Sequence, residues 1–363
     1  MMIKSRAAVA HGAHRPMTIE TIEYEEPQGS DVLVKIRATG LCHSDLHILD
    51  GSLPFQFPVV LGHEGSGTVV RCGPDAKGFE PGDHVVALFV PECGVCVACT
   101  SGKTNLCALR SREEHTRAFW NGQEIKRMSG IGTFAEYSVI RDAALAKVNP
   151  KAPFDRSFYA GCGVTTGVGA AVFQAKVETG AKVIVFGLGG IGLNVLQGAR
   201  LQQASMIIGV DTNPAREEIA RKMGATHFVN PKAIDGDLVE HLRVLTGGGG
   251  DYTFECVGIT SLMKQASDAA HPLWGVLTFV GAAPIQDMVC ASPFDFLGGR
   301  KWQGTLFGGA KGKTDTPKII DWYLDGKIDI DSLVTHEIAL EDINEGFEMM
   351  KRGESIRTVI TLD

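Results

Sequence analysis

No stretch of this 363-residue chain stays apolar for the ~18 residues that a membrane-spanning helix needs. Its opening residues, MMIKSRAAVA, lack the long apolar core of a secretory leader, so the chain is expected to be soluble and cytoplasmic. There is no Lys/Arg-rich block either. With 35 basic and 42 acidic residues the net charge is -7, which argues against nucleic acid or an anionic membrane as the main partner. No internal repeat or low-complexity segment is found, and 21% charged with 44% hydrophobic residues excludes a disordered tail or a fibre. What remains is a globular chain too long for one ordinary core, so two domains are expected.

Glycine is abundant instead: 44 residues, which implies many tight turns and close backbone approaches. Nine cysteines in a chain of this kind point to metal or reactive thiols rather than a disulfide framework. Four of them, Cys93, Cys96, Cys99 and Cys107, fall within fifteen residues; Cys42, Cys72, Cys162, Cys256 and Cys290 are scattered.

The first 150 residues or so read as short β-segments between glycine-rich turns, with strands expected at 32–36, 68–71, 84–88 and 134–140. After about residue 160 strands and helices alternate. An apolar run at 182–186 precedes a glycine cluster and a helical pattern through Ile191, Val195, Leu196 and Ala199. A second run at 206–210 is followed by a helix opened at Asn213-Pro214 and closed near Gly224. Such alternation predicts a parallel sheet with right-handed crossovers. The last segment is mixed in character and is expected to rejoin the first domain.

Within this frame, Gly187-Leu188-Gly189-Gly190-Ile191-Gly192 matches G-x-G-x-x-G after a strand and at the start of a helix. Glycine there permits the tight turn and lets backbone N–H groups at the helix N-terminus approach a pyrophosphate. Asp211 ends the next strand, nineteen residues after Gly192, placed to accept hydrogen bonds from ribose hydroxyls and to repel a 2′-phosphate. NAD is therefore expected over NADP. The competing reading is a glycine turn in a parallel-sheet protein that binds no dinucleotide.

The spacing Cys93-x2-Cys96-x2-Cys99-x7-Cys107 suits four thiolates around one tetrahedral Zn²⁺, a closed site where no chemistry is expected. A redox CxxC is the alternative. Cys42, His63 and Cys162 each lie on a glycine-flanked loop. Two cysteines and a histidine with one open position form a catalytic zinc pattern, but residues of these types are also commonly just packed, and the residues alone leave both readings open.

Taken together, Gly62-His63-Glu64, the four-cysteine lobe, Gly161-Cys162-Gly163-Val164-Thr165-Thr166-Gly167, the fingerprint and Ser355-Ile356-Arg357-Thr358 resemble the zinc-dependent medium-chain alcohol dehydrogenases over nearly the whole chain. The stretches 161–231 and 302–323 are most similar to the class III branch, the glutathione-dependent formaldehyde dehydrogenases. The resemblance implies a mainly β, GroES-like catalytic domain (1–163, with the zinc lobe at about 91–110), a Rossmann-type doubly wound α/β domain for NAD (164–306), and a return to the catalytic domain (307–363). It implies two Zn²⁺ per chain: a catalytic one on Cys42, His63 and Cys162, with Glu64 beside it and Asp45 orienting His63, and a structural one on the four-cysteine lobe. By the same resemblance Ser44 bonds the substrate oxygen and His47 is the outer member of a proton relay. Asp211 and Arg216 meet the adenosine ribose, His43 and Arg357 the pyrophosphate, and Thr166 lies near the nicotinamide. A homodimer joined through sheet edges near 276–307 is implied, a homotetramer being the other option.

The chain also departs from the branch. Its segment Ser52-Leu53-Pro54-Phe55-Gln56-Phe57-Pro58 is one residue shorter and lacks the branch's acidic residues, and His47 replaces the usual tyrosine. The stretch 108–115 does not allow the glutathione-binding arginine to be placed. With Leu53, Phe55, Phe89 and Leu306 expected to line an apolar pocket, the leading expectation is an NAD- and zinc-dependent dehydrogenase of apolar primary alcohols, aromatic or medium-chain. The alternative is glutathione-dependent formaldehyde dehydrogenase. A zinc-stabilised nucleotide sensor without turnover is disfavoured by the full Cys42/His63/Cys162/Ser44 set, as is a zinc-free quinone reductase.

Overall fold

The structure, a computed structural model, describes residues 2–111 and 116–362. The chain folds as two compact units. One comprises the residues up to Cys162 with Lys311–Gly326 and everything from Ile330 on; the other comprises Gly163–Ala310 and Lys327–Asp329.

In the first unit, strands Ile3–Ala10, Thr18–Tyr24, Ala118–Trp120, Gln123–Arg127 and Val59–Val60 close into a small barrel. Beside it a seven-stranded sheet runs in the order Leu145–Lys147, His84–Ala87, Gly65–Cys72, Asp31–Gly40, Arg357–Thr361, Val334–Ile338, and Tyr137–Arg141 also pairs with Asp31–Gly40. Val34, Ile36, Val69, Phe134 and Ile360 fill the core between strands, with Phe347 packed on Phe134. The last strand binds the end of the chain to its beginning: Val359 stands opposite Gly40 in antiparallel register. The strand expected at 134–140 begins only at Tyr137, because Phe134 donates its N–H to Leu61 and accepts from Ala8 in a turn that buries its ring.

The second unit is a six-stranded, wholly parallel sheet in the order His227–Val229, Met206–Val210, Lys182–Phe186, Tyr252–Glu255, Val276–Phe279, Lys301–Gly304. Numbered by chain position this is 3-2-1-4-5-6, the doubly wound order whose reversal point, between Lys182–Phe186 and Tyr252–Glu255, is the ligand-binding crevice of such sheets. Val183, Ile184, Val185 and Phe186 are all buried, as a strand covered on both faces requires. Helix Gly190–Leu201 is buried on nearly every side, more than an amphipathic stripe would give. Its interior polar residues are satisfied: Asn194 donates to Gly190 O (2.8 Å), and Gln197 exchanges hydrogen bonds with the Asp329 backbone (2.6 and 3.1 Å). That exchange draws 327–329 into this unit. The boundary expected at 306/307 lies instead after Ala310, because Phe307 is buried and Gly308 packs on the carbonyls of Thr165 and Thr166, with no room for a Cβ. Among the described residues no helix is long and apolar enough to cross a membrane.

Candidate active site

Three loops of the first unit bring Cys42, His63, Glu64 and Cys162 together, with one donor atom from each lying within 4.8 Å of the others. Cys42 ends the turn after strand Asp31–Gly40 and caps helix His43–Leu49. His63 follows Gly62, where a φ of +88° and the Phe134 ring, which would stand 2.6 Å from any Cβ, leave space for glycine alone. Cys162 leaves a 3₁₀ turn, Phe158–Gly161, in which Gly161 lies against Ala87 O.

Asp45, on helix His43–Leu49 and fully buried, fixes both the loop and the ring. Its Oδ1 accepts from Gly62 N (2.9 Å), and it stands 3.3 Å from His63 Nδ1. The imidazole is thereby held with Nε2 as its ligand nitrogen. Burial opposes charge on His63, yet Asp45 and Cys42 outweigh it and hold the pKa well above the ordinary value. The Cys162 hydrogen bond and the His63 charge hold the Cys42 thiol well below its usual range despite burial. Two thiols and an imidazole, buried together and oriented by a carboxylate, are the donor types that fit Zn²⁺ with three protein ligands.

Glu64 is fully buried, and burial pushes its carboxyl up to about 8. Neither of its oxygens has a hydrogen bond, and the Arg357 guanidinium is 3.3 Å away. Arg357 itself is buried, donates to Leu41 O, and lies over the Tyr159 ring, 4.3 Å from its centroid. The sequence reading missed Tyr159. An aromatic neighbour 198 positions from its arginine leaves no local signal in the sequence.

In the lobe, Cys93, Cys96, Cys99 and Cys107 also gather within 4.8 Å. Zn–S bonds of ~2.3 Å in a tetrahedron require sulfurs ~3.8 Å apart. Cys93 and Cys99 are 3.9 Å apart, as are Cys96 and Cys107, so the four thiols fit one zinc. Backbone N–H groups of Ala108 and Cys99 lower the Cys96 thiol to about 6, while burial raises Cys99 to about 12.

In the second unit the glycine turn has the form its sequence implies. Gly187 adopts φ +87°, Gly189 caps the helix, and a Cβ on Gly192 would fall 1.8 Å from Gly187 O. Asp211 braces the same turn, accepting from Leu188 N (2.7 Å) and Asn213 N (2.8 Å). Arg216 opens helix Arg216–Met223 two residues beyond Pro214, and Thr166 is half-buried on helix Gly163–Gly169.

Around the cysteine–histidine cluster, Ser44 Oγ is 3.8 Å from Cys42 Sγ, His43 is exposed, and the His47 side chain is 45% exposed. Phe89 meets His63 edge-on (5.9 Å), and Leu53 and Phe55 are exposed. Leu306 belongs to the second unit. Of the stretch 108–115, which does not place the branch's glutathione-binding arginine, residues 112–115 lie outside those described.

Comparison with known proteins agrees with this geometry. Residues 28–150 match the alcohol dehydrogenase GroES-like domain and residues 190–325 the zinc-binding dehydrogenase family. The chain is 49% identical to alcohol dehydrogenase class-3 of Cereibacter sphaeroides, over 99% of this chain and 100% of that protein. It belongs to the zinc-dependent medium-chain alcohol dehydrogenases, in their class III branch. S-(hydroxymethyl)glutathione dehydrogenase of Paracoccus denitrificans is 47% identical with the same coverage. Benzyl alcohol dehydrogenase of Acinetobacter calcoaceticus superposes with a TM-score of 0.92 at 31% identity, over 99% of this chain and 100% of that one. The protein is thus an oxidoreductase with a GroES-like and a Rossmann-type domain, and its cofactors are zinc and NAD.

Proposed function

We propose that this dehydrogenase acts on S-(hydroxymethyl)glutathione, the adduct of formaldehyde with glutathione. The observation that carries this reading is the end-to-end identity of 49% and 47% with two class III relatives, one of them named for that substrate. The sequence-based expectation ranked apolar primary alcohols first, and the relatives favour the glutathione adduct over it. Apolar alcohols remain the second reading because of one local feature: Ser52–Pro58 carries no acid, and Leu53 and Phe55 stand exposed where a peptide-like substrate would need polar partners.

In either case Cys42, His63 and Cys162 hold the catalytic zinc and the Cys93–Cys107 lobe the structural one. Bound zinc supplies a Lewis acid, and bound NAD supplies the hydride acceptor. Ser44 Oγ takes the proton of the substrate hydroxyl and gives up its own; His47 receives a proton at its imidazole and releases it to solvent. Arg357 stands 3.3 Å from Glu64 beside the metal ligands and favours the ionised form of that buried carboxyl against the cost of burial. In the second unit the N–H groups of the Gly187–Gly192 turn serve the pyrophosphate, Asp211 and Arg216 the adenosine ribose, and Thr166 the nicotinamide. The Asp211 carboxylate would repel a 2′-phosphate, which favours NAD.

Steady-state NAD reduction separates the two readings. If formaldehyde with glutathione gives a higher kcat/KM than benzyl, cinnamyl or hexyl alcohol, the glutathione reading stands. No stimulation by glutathione, with turnover of benzyl or hexyl alcohol, gives the site to apolar alcohols.

A further inference from the structure

At the end of helix His43–Leu49 two imidazoles approach one carboxylate. His47 Nδ1 is buried and makes no hydrogen bond, and Asp50 Oδ2 stands 3.8 Å from it. Asp50 is fixed from its other side, since Oδ1 accepts the Ser52 N–H at 2.9 Å. His14 arrives from the loop that follows strand Ile3–Ala10. Its N–H donates to Leu49 O (2.7 Å), and its backbone is left-handed (φ 60°), a conformation few non-glycine residues adopt. Its Nε2 lies 3.3 Å from the place a Cβ on Gly51 would occupy. His14 and Asp50 both line a cavity of about 460 Å³. Nothing in the metal or nucleotide motifs calls for an acid at position 50.

We infer that Asp50 is a positioning residue for His47: its carboxylate, 3.8 Å from Nδ1, faces the imidazolium that forms and leaves Nε2 as the proton-accepting nitrogen. The inference rests on the assignment of His47 to the proton path. In the step itself the O–H bond of Ser44 breaks, the proton passed along the relay bonds to Nε2, and the ring's positive charge stands opposite the Asp50 carboxylate. Nε2–H then loses that proton to solvent, and no electrons move. Asp50 is ionised for this task. Burial pushes its carboxyl up, but the Ser52 hydrogen bonds and the charges of His47 and His14 outweigh burial and hold it below the usual range.

The other charged groups nearby are His43 and Asp45 on the same helix, His14 and Arg15 on the N-terminal loop, and Glu345, Glu348 and Lys351 on helix Ile343–Lys351. Lys351 is paired with Glu348 (2.7 Å) and Glu345 with Arg352 (2.9 Å), while Asp45 faces His63. Asp50 is accordingly the carboxylate that faces His47, with His14 approaching the same group.

The test is histidine NMR on the zinc-loaded enzyme without nucleotide, the His47→Gln spectrum identifying the resonance, together with the pH–rate profile at saturating NAD. Asp50→Asn keeps an oxygen acceptor for Ser52 and removes only the charge. Losing an anion beside a half-exposed imidazole should lower the His47 midpoint by about half a pH unit, and Asp50→Glu should restore most of it. The acid limb of the rate profile should move to lower pH by the same amount. An unmoved midpoint and an unmoved limb in Asp50→Asn, with His47→Gln still altering the profile, would overturn the inference alone. A His47→Gln profile identical to the parent's would remove the relay beneath it as well.

Discussion

Cys162 and Cys99 are both buried thiols, yet their surroundings assign them opposite kinds of failure. Cys162 shares its space with an orienting Asp45–His63 pair and belongs to the proposed catalytic zinc site, so Cys162→Ala should abolish turnover while the protein still unfolds cooperatively near the parent's temperature. Cys99 closes a four-thiol site, and Cys99→Ala should lower the unfolding temperature by about 10 °C, as thermal melts would record. Asp45→Asn is the subtler change. It keeps an acceptor for Gly62 N but loses the carboxylate behind His63, which should cost about 10–100-fold in zinc affinity or kcat, measured by competition with a chelator and by steady-state rates. At Asp211 the structure adds a second duty, since Leu188 N in the glycine turn binds the same carboxylate. Asp211→Gly should narrow the preference for NAD over NADP and raise the KM for NAD about tenfold, because a turn N–H loses its partner. An unchanged NAD/NADP ratio in that variant would move the ribose contact elsewhere.

Among the elements, the strand–turn–helix Lys182–Leu201 is the one most fully legible in the sequence, because each glycine has a local steric reason that spacing reveals. Gly192 is the most exposed to test: its Cβ would collide with Gly187 O, a backbone atom that cannot swing aside. Gly192→Ala should cost about 3 kcal/mol of local packing and weaken NADH binding, read by fluorescence titration, while both zincs are retained. The parallel order of the second unit was legible for the same reason, as apolar runs alternate with helix signals at regular spacing. The first unit was less so. Its sheet is completed by Arg357–Thr361, which pairs with a strand more than 300 residues earlier, and no local pattern encodes that partner. Separation along the chain also hid the Glu64–Arg357–Tyr159 cluster, and the approach of His14 to Asp50 has no local pattern, whereas the four lobe cysteines announced themselves by proximity in the chain. The boundary near 310 was missed because it depends on Gly308 fitting against Thr165 and Thr166, a contact rather than a composition.

At the scale of the whole molecule, the sheet of the second unit ends in strand Lys301–Gly304, which among the described residues pairs on one side only, with Val276–Phe279. Beside it in sequence Ile285, Met288, Phe294 and Leu297 are each 78–91% exposed, more apolar surface than a lone soluble chain normally leaves uncovered. We propose a second copy of the chain as the cover, so Ile285→Asp with Phe294→Asp should convert a dimer to monomers in light scattering, at unchanged zinc content. Two zinc sites of different purpose, one chemical and one structural, are expected on the one polypeptide. Zinc quantification on pure enzyme, run beside kcat for the parent, Cys162→Ala and Cys99→Ala proteins, tests this most directly. The expected result is two equivalents in the parent, one in each variant, no turnover in a folded Cys162→Ala, and a destabilised Cys99→Ala. One equivalent in a fully active parent, or two in Cys162→Ala with normal turnover, would contradict it.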